Sequence, residues 1–172
     1  MAPEIYWVRD IEPLRLAIMP RPRAGDWLPD EVAGWHSSGV SIVVSLLEDH
    51  EARELDLLNE QKLCEEQGIN FISYPISDRG VPNSHQEARE LVQALIGQLR
   101  SGAALAIHCR AGIGRSSLIA GCVLSLLGIT PDEAFRMLSR ARGTQVPDTQ
   151  TQKEWLAMFS HALAATPHDL LE

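Results

Sequence analysis

An α/β fold is predicted for this chain: a single domain whose mostly parallel central sheet is flanked by helices on both faces. Short apolar runs alternate along the sequence with longer stretches whose apolar residues recur at helical spacing. One such run, residues 103–107, leads straight into a glycine-bearing turn that opens a helix. Ligands in sheets of this kind bind outside the carboxyl ends of the strands, so that turn is where a site is expected. At 172 residues, one domain covering 1–172 can bury a proper core, and no linker, repeat or low-complexity tract divides it.

The elements follow in order. Residues 5–8 and 14–19 read as early strands, and a short helix is expected to start near Pro29, after Asp26. The β-branched run Ile42, Val43, Val44 marks residues 40–47 as a buried strand rather than a helix. Residues 51–67 read as one helix ended by Gly68, and residues 69–74 as the next strand. A loop bracketed by Pro75 and Pro82 follows. Leu91, Val92, Leu95, Ile96 and Leu99 form a helical stripe that stops at Ser101 and Gly102. After the strand at 103–107, a helix is expected from Ser116 to Leu127, carrying Leu118, Ile119, Cys122 and Val123. Thr130, Pro131 and Glu133 supply the cap, first-turn proline and acidic start of another helix. Thr149 and Gln152 have the spacing of a capping box for a last helix ending near Leu163.

The run His108-Cys109-Arg110-Ala111-Gly112-Ile113-Gly114-Arg115-Ser116 carries the chemistry. A thiol is a strong nucleophile only as thiolate, and a free Cys, with a pKa of about 8.5, is mostly protonated at neutral pH. A position between a strand end and a helix start surrounds it with unpaired N–H groups and the positive end of a helix dipole. Both stabilise a thiolate and bind an anion. Gly112 and Gly114 allow the backbone of Arg110, Ala111, Gly112, Ile113 and Gly114 to turn its N–H groups inward as a phosphate nest. Arg115 offers a planar cationic fork for two phosphate oxygens. Ser116 is placed to donate to the sulfur, and His108 to tune the loop from behind.

His-Cys, five residues, then Arg-Ser resembles the signature loop of the cysteine-dependent protein phosphatases. The chain is most similar to their small dual-specificity group, including kinase-associated phosphatase-like and compact archaeal and bacterial members. The resemblance runs from Ile5 to about Leu163 and implies a protein-tyrosine-phosphatase-like fold. A buried Cys at a strand end, or a sulfur-transfer loop, would not require an Arg followed by Ser at this place.

The resemblance further implies a proton donor on a loop after a strand, upstream of the Cys. Pro75-Ile76-Ser77-Asp78-Arg79-Gly80-Val81-Pro82 matches the family's pattern there and makes Asp78 the candidate general acid. Outside this context, Asp78 would be read as a turn-closing residue. Arg79 is read as a solvated charge. Gln152, Trp155 and Leu156 match a family segment in which glutamine helps place the hydrolytic water. Related phosphatases often carry another glutamine where this chain has Asp148. The cap is the preferred role for Gln152, leaving Asp78 as base in the second step with Gln150 or Gln152 assisting.

The expected activity is hydrolysis of phosphotyrosine, and of phosphoserine or phosphothreonine, in a phosphorylated protein or peptide, with no metal or cofactor. The alternatives are a phosphoinositide or inositol phosphate phosphatase, which would favour lysines inside the loop, and a phosphoprotein-binding module without turnover. A net charge of −8 argues against nucleic acid and anionic membrane surfaces as partners. The basic clusters Arg21-Pro22-Arg23 and 136–142 are read as solvated, or as fringing the site. No apolar run reaches membrane-spanning length, residues 1–4 begin no secretory leader, and three cysteines offer no paired framework, so a reducing cytoplasm is expected. Cys122 is read as core and Cys64 as lying on a helix that nothing in the sequence brings to the loop, so neither is expected to partner an oxidised Cys109. The oligomeric state is left open.

Overall fold

Tyr6–Trp7 (β1), Arg15–Met19 (β2), Ile42–Ser45 (β3), Asn70–Ser73 (β4) and Ala104–His108 (β5) form one sheet in the order β1-β2-β5-β3-β4 in the computed structural model, which describes residues 2–165. β1 is antiparallel to β2 at one edge, and every other pairing is parallel. His108 is in register with both Met19 and Ser45, so the carboxyl ends of β2, β5 and β3 meet on one rim. All five residues of β5 are buried, as the centre of a sheet covered on both faces requires.

Alternate strand residues feed two cores. Leu16, Ile18, Ile42, Val44, Leu105 and Ile107 face His85–Arg100 (α4), Arg115–Leu126 (α5), Pro131–Arg142 (α6) and Gln150–Ala164 (α7). Ala17, Met19, Val43 and Ala106 face Leu28, Val32 and Trp35 of Leu28–Ser37 (α1). α5 is buried without interruption from Arg115 to Leu124, because the sheet, α4, α6 and α7 enclose it. The expected caps form: Thr130 accepts from the Glu133 N–H, and Thr149 and Gln152 close a reciprocal capping box.

The single helix expected over residues 51–67 is instead two, Asp49–Glu54 (α2) and Glu60–Glu66 (α3). Between them Asp56 takes a left-handed φ of 56°, and Leu57 turns inward while Leu58 stays exposed. The break has a geometric reason. At about 100° per residue, Glu51 and Glu60 would sit on opposite faces of a continuous helix. Interrupting it lets both carboxylates reach the buried rim of the sheet, where they are 2% and 3% exposed.

Candidate active site

The loop from Cys109 to Gly114 joins β5 to α5 at the shared rim of β2, β5 and β3. Cys109 is buried at 3% exposure, and Ser116 Oγ lies 3.4 Å from its sulfur. Gly112 has φ of 71°, and a Cβ there would come within 2.6 Å of the Met19 carbonyl carbon and the Pro20 nitrogen. Only glycine meets both conditions. The loop's carbonyls are engaged from outside. Arg142 donates to the oxygens of Ala111 and Gly112 at 3.1 and 3.2 Å, and the Arg21 N–H donates to that of Arg110 at 3.1 Å. Arg142 is itself held over the Tyr6 ring, 4.3 Å from its centroid.

Arg115 is the most heavily bonded side chain here. Its Nη1 donates to Glu51 Oε1 at 2.7 Å and the Ile76 carbonyl at 2.8 Å. Its Nη2 donates to Glu51 Oε2 at 3.0 Å and Asp78 Oδ1 at 3.2 Å. The Glu51 contact is a bidentate fork, which fixes the guanidinium plane as well as its position. Burial opposes the charge on Arg115, but the Glu51 hydrogen bond and the neighbouring Cys109, Glu51 and Asp78 charges outweigh it and raise its pKa. Burial also pushes Glu51 up. Its hydrogen bonds from Arg115 and the Glu48 N–H, with the charges of Arg115 and Arg110, leave it below the ordinary carboxylate range.

Asp78 sits on the loop after β4, over half exposed, with Arg115 as its partner. Asp78, Cys109, Arg110, Arg115, Asp148 and Gln152 line one small pocket of about 70 Å³. Gln152 is fully buried. Its Oε1 accepts from the N–H groups of Asp148 and Thr149, and its Nε2 donates to the Gly80 carbonyl at 3.1 Å. It therefore caps α7 and also tethers the Asp78 loop. Arg79 is solvated as expected, its side chain 63% exposed, and it also takes a left-handed φ of 59° and pairs with Asp148 Oδ2 at 3.3 Å on the pocket rim.

Behind Cys109, His108 is fully buried, its Nε2 2.5 Å from Glu60 Oε1 and its Nδ1 3.1 Å from the Cys109 carbonyl oxygen. Burial pulls the imidazole pKa down, but the Glu60 charge and hydrogen bond, with the Cys109 carbonyl, raise it overall. Of the basic clusters, Arg21 and Arg142 touch the loop. Arg136 bonds Glu133, Arg140 bonds Asp10, and Arg23 bonds Glu31. Cys64 and Cys122 are buried in the two cores, and burial with the charges of Glu60 and Glu65 pushes the Cys64 thiol up to about 12.

No role is predicted for Glu51 or Glu60 from the sequence, whereas Arg142 belongs to the 136–142 cluster expected to be solvated or to fringe the site, and it does touch the loop. The only local hint was the cluster Leu55, Leu57, Leu58, which does not keep to one helical face.

A thiol, a guanidinium and a carboxyl meeting over a glycine-bearing loop, on the rim of a parallel sheet, define the class of cysteine-dependent phosphatase domains. The sequence profile of the Swiss Army Knife DSP-PTPase phosphatase domain matches residues 6–165, and the chain belongs to that family. Cyclin-dependent kinase inhibitor 3 of Rattus norvegicus is 32% identical over 131 residues, covering 75% of this chain and 61% of that protein. The chain thus spans about three fifths of the length of that curated relative. Kinase associated phosphatase, with serine in place of its catalytic cysteine, superposes with a TM-score of 0.85 at 24% identity, over 97% of this chain and 99% of that one. Tk-PTP in its active form superposes at 0.75 with 26% identity, over 94% of this chain and 99% of that one. Among the described residues, no helix is long and apolar enough to cross a membrane.

Proposed function

We propose that the chain is a single catalytic domain that hydrolyses phosphotyrosine and phosphoserine or phosphothreonine esters in proteins through a cysteinyl-phosphate. The observation that carries this is the Arg115 guanidinium, which faces the Cys109 pocket while bonded at 3.2 Å to Asp78. One pocket thereby offers a nucleophile, a phosphate clamp and a proton donor.

In the first step the Cys109 thiolate attacks phosphorus in line, forming an S–P bond as the ester P–O bond breaks. Asp78 passes its proton to the leaving oxygen. Arg115 and the N–H groups of residues 110–115 hold the equatorial oxygens. In the second step water attacks phosphorus, the ionised Asp78 accepts its proton, and the S–P bond breaks to return thiolate and inorganic phosphate. Ser116 donates to the departing sulfur. The tether from Gln152 to Gly80 supports a role for Gln152 in placing Asp78, while the water is left to Asp78 itself. The reading gives no metal or cofactor a part, and a free thiolate suits a reducing cytoplasm.

A protein substrate is favoured over an inositol phosphate because the loop's extra cation, Arg110, is within 3.6 Å of Glu51 rather than free for a further phosphate. The relatives' names, a kinase inhibitor and a kinase associated phosphatase, point the same way. The test is turnover of an aryl phosphate in chelator, comparing wild type with Cys109→Ser and Asp78→Asn, followed by phosphopeptide and inositol lipid panels. Full activity in Cys109→Ser overturns the mechanism. Phosphopeptide binding without wild-type turnover overturns it in favour of a binding module.

A further inference from the structure

We infer that Glu60 is a positioning residue for the nucleophile, pinning His108 beneath the loop and sharing with it a proton that keeps the ring donating to the Cys109 carbonyl. The inference deepens the phosphatase reading and rests on it for its functional meaning, though not for its geometry.

The Cys109 carbonyl oxygen, 3.1 Å from Nδ1, can only accept, so Nδ1 must carry hydrogen. Nε2 then faces Glu60 Oε1 at 2.5 Å. The contact is satisfied only if one proton lies between them, either as imidazolium with carboxylate or as neutral ring with carboxylic acid. His108 is 0% exposed and Glu60 is 3% exposed, so neither group can turn to water for a partner. A buried charge without its partner is strongly unfavourable, which couples the two groups. The pair therefore fixes the ring's tautomer and the carbonyl at the strand–loop junction. In its ionised form it places the cationic end next to Cys109 and the anionic end away from it.

The surrounding elements supply little else that is charged. Trp35 of α1 covers the ring, with centroids 6.2 Å apart. Cys64 of α3 lies in the same core as Trp35. Glu51 is committed to Arg115, and Asp78 also bonds Arg115 on the pocket side. Glu60 is thus the carboxylate assigned to His108, and it reaches that place because the helix breaks before it.

The experiment reads the ring and the thiol separately. In wild-type protein with ¹⁵N-labelled histidine, both His108 ring nitrogens should report bound hydrogen, or a hydrogen shared with Glu60, at pH values above the unperturbed imidazole midpoint of about 6.5. A freely titrating ring with a midpoint near the unperturbed value of about 6.5 overturns the inference without any variant. In Glu60→Gln the rate of Cys109 alkylation by iodoacetate at about pH 6 should fall roughly tenfold, with KM for an aryl phosphate within about twofold of wild type. Glu60→Asp should recover part of the alkylation rate. An unchanged alkylation rate in folded Glu60→Gln overturns the inference. Absence of wild-type turnover would instead count against the phosphatase reading, leaving the ring and alkylation results to decide the role of Glu60.

Discussion

Replacing Glu51 by glutamine tests how the phosphate clamp is held. The side chain keeps its size but loses its charge and one of its two acceptors for the Arg115 fork, now at 2.7 and 3.0 Å. Arg115, 2% exposed, then retains the Ile76 carbonyl at 2.8 Å and the half-exposed Asp78. Removing one partner of a buried ion pair costs about 3–5 kcal/mol. The remaining acceptors place this case near the lower end, at about 3 kcal/mol. For a domain of this size, each kcal/mol lowers Tm by about 2–4 °C, giving a drop of roughly 6–12 °C. The sign of the pH dependence follows from the direction of the shift. Glu51 is held below its ordinary value, so its stabilisation is complete above about pH 4.3 and is lost as pH falls through the lower folded value. Urea unfolding across pH should show a gap between wild type and Glu51→Gln at neutral pH that closes in acid. Turnover of an aryl phosphate should fall by about a hundredfold, because the guanidinium is no longer aimed. A stability change under about 1 kcal/mol with unchanged kcat would refute the assignment of Glu51 as the anchor of Arg115.

Other consequences are as direct. Gly112→Ala adds a methyl 2.6 Å from the Met19–Pro20 peptide at a φ of 71°, so it should cost about 1–3 kcal/mol in urea unfolding and weaken phosphate binding. In native protein treated briefly with iodoacetamide near neutral pH, mass spectrometry should find the label on Cys109, because burial holds Cys64 at about 12 and Cys122 well above its ordinary value. Burial lowers the His108 pKa but Glu60 raises it overall. The stability it contributes is therefore complete below about pH 6.5 and is lost as pH rises through the raised folded value. The stability gap between wild type and Glu60→Gln should accordingly narrow in alkali, the reverse of the Glu51 case.

What could be read from the sequence was what is decided locally. The β-branched run of β3, the caps at Thr130 and Thr149 and the Cys109 loop announce themselves within a few residues, and each forms where expected. Asp78 needed only the neighbouring prolines and the family pattern. The split of α2 from α3 was not legible, because its cause lies in partners 64 and 48 residues further on, Arg115 and His108. Arg142 was legible only as part of a basic cluster that could fringe the site: its contact reaches back 30 residues to Gly112, and a charged residue at a helix end has many solvated precedents. Arg79 was legible as a solvated charge, and at 63% exposure it is one, but its pairing with Asp148, 69 positions away, was not. Long-range polar pairs leave no periodic trace, so the supports of the candidate site were hidden while the groups proposed to react were not.

The unbroken burial of α5 from Arg115 to Leu124 bears on how this site can change over time. Amides anchored in such a segment are expected to exchange with solvent only when the whole domain opens, so Arg115, the part of the proposed phosphate seat that lies in it, has no unfolding route of its own. Mutational drift inside it is therefore filtered by foldability before activity is ever tested. The solvent-touching rim of Arg79 and Asp148 is free of that filter. Divergence in substrate choice should accumulate on the rim, around a seat that evolves as slowly as the core that contains it.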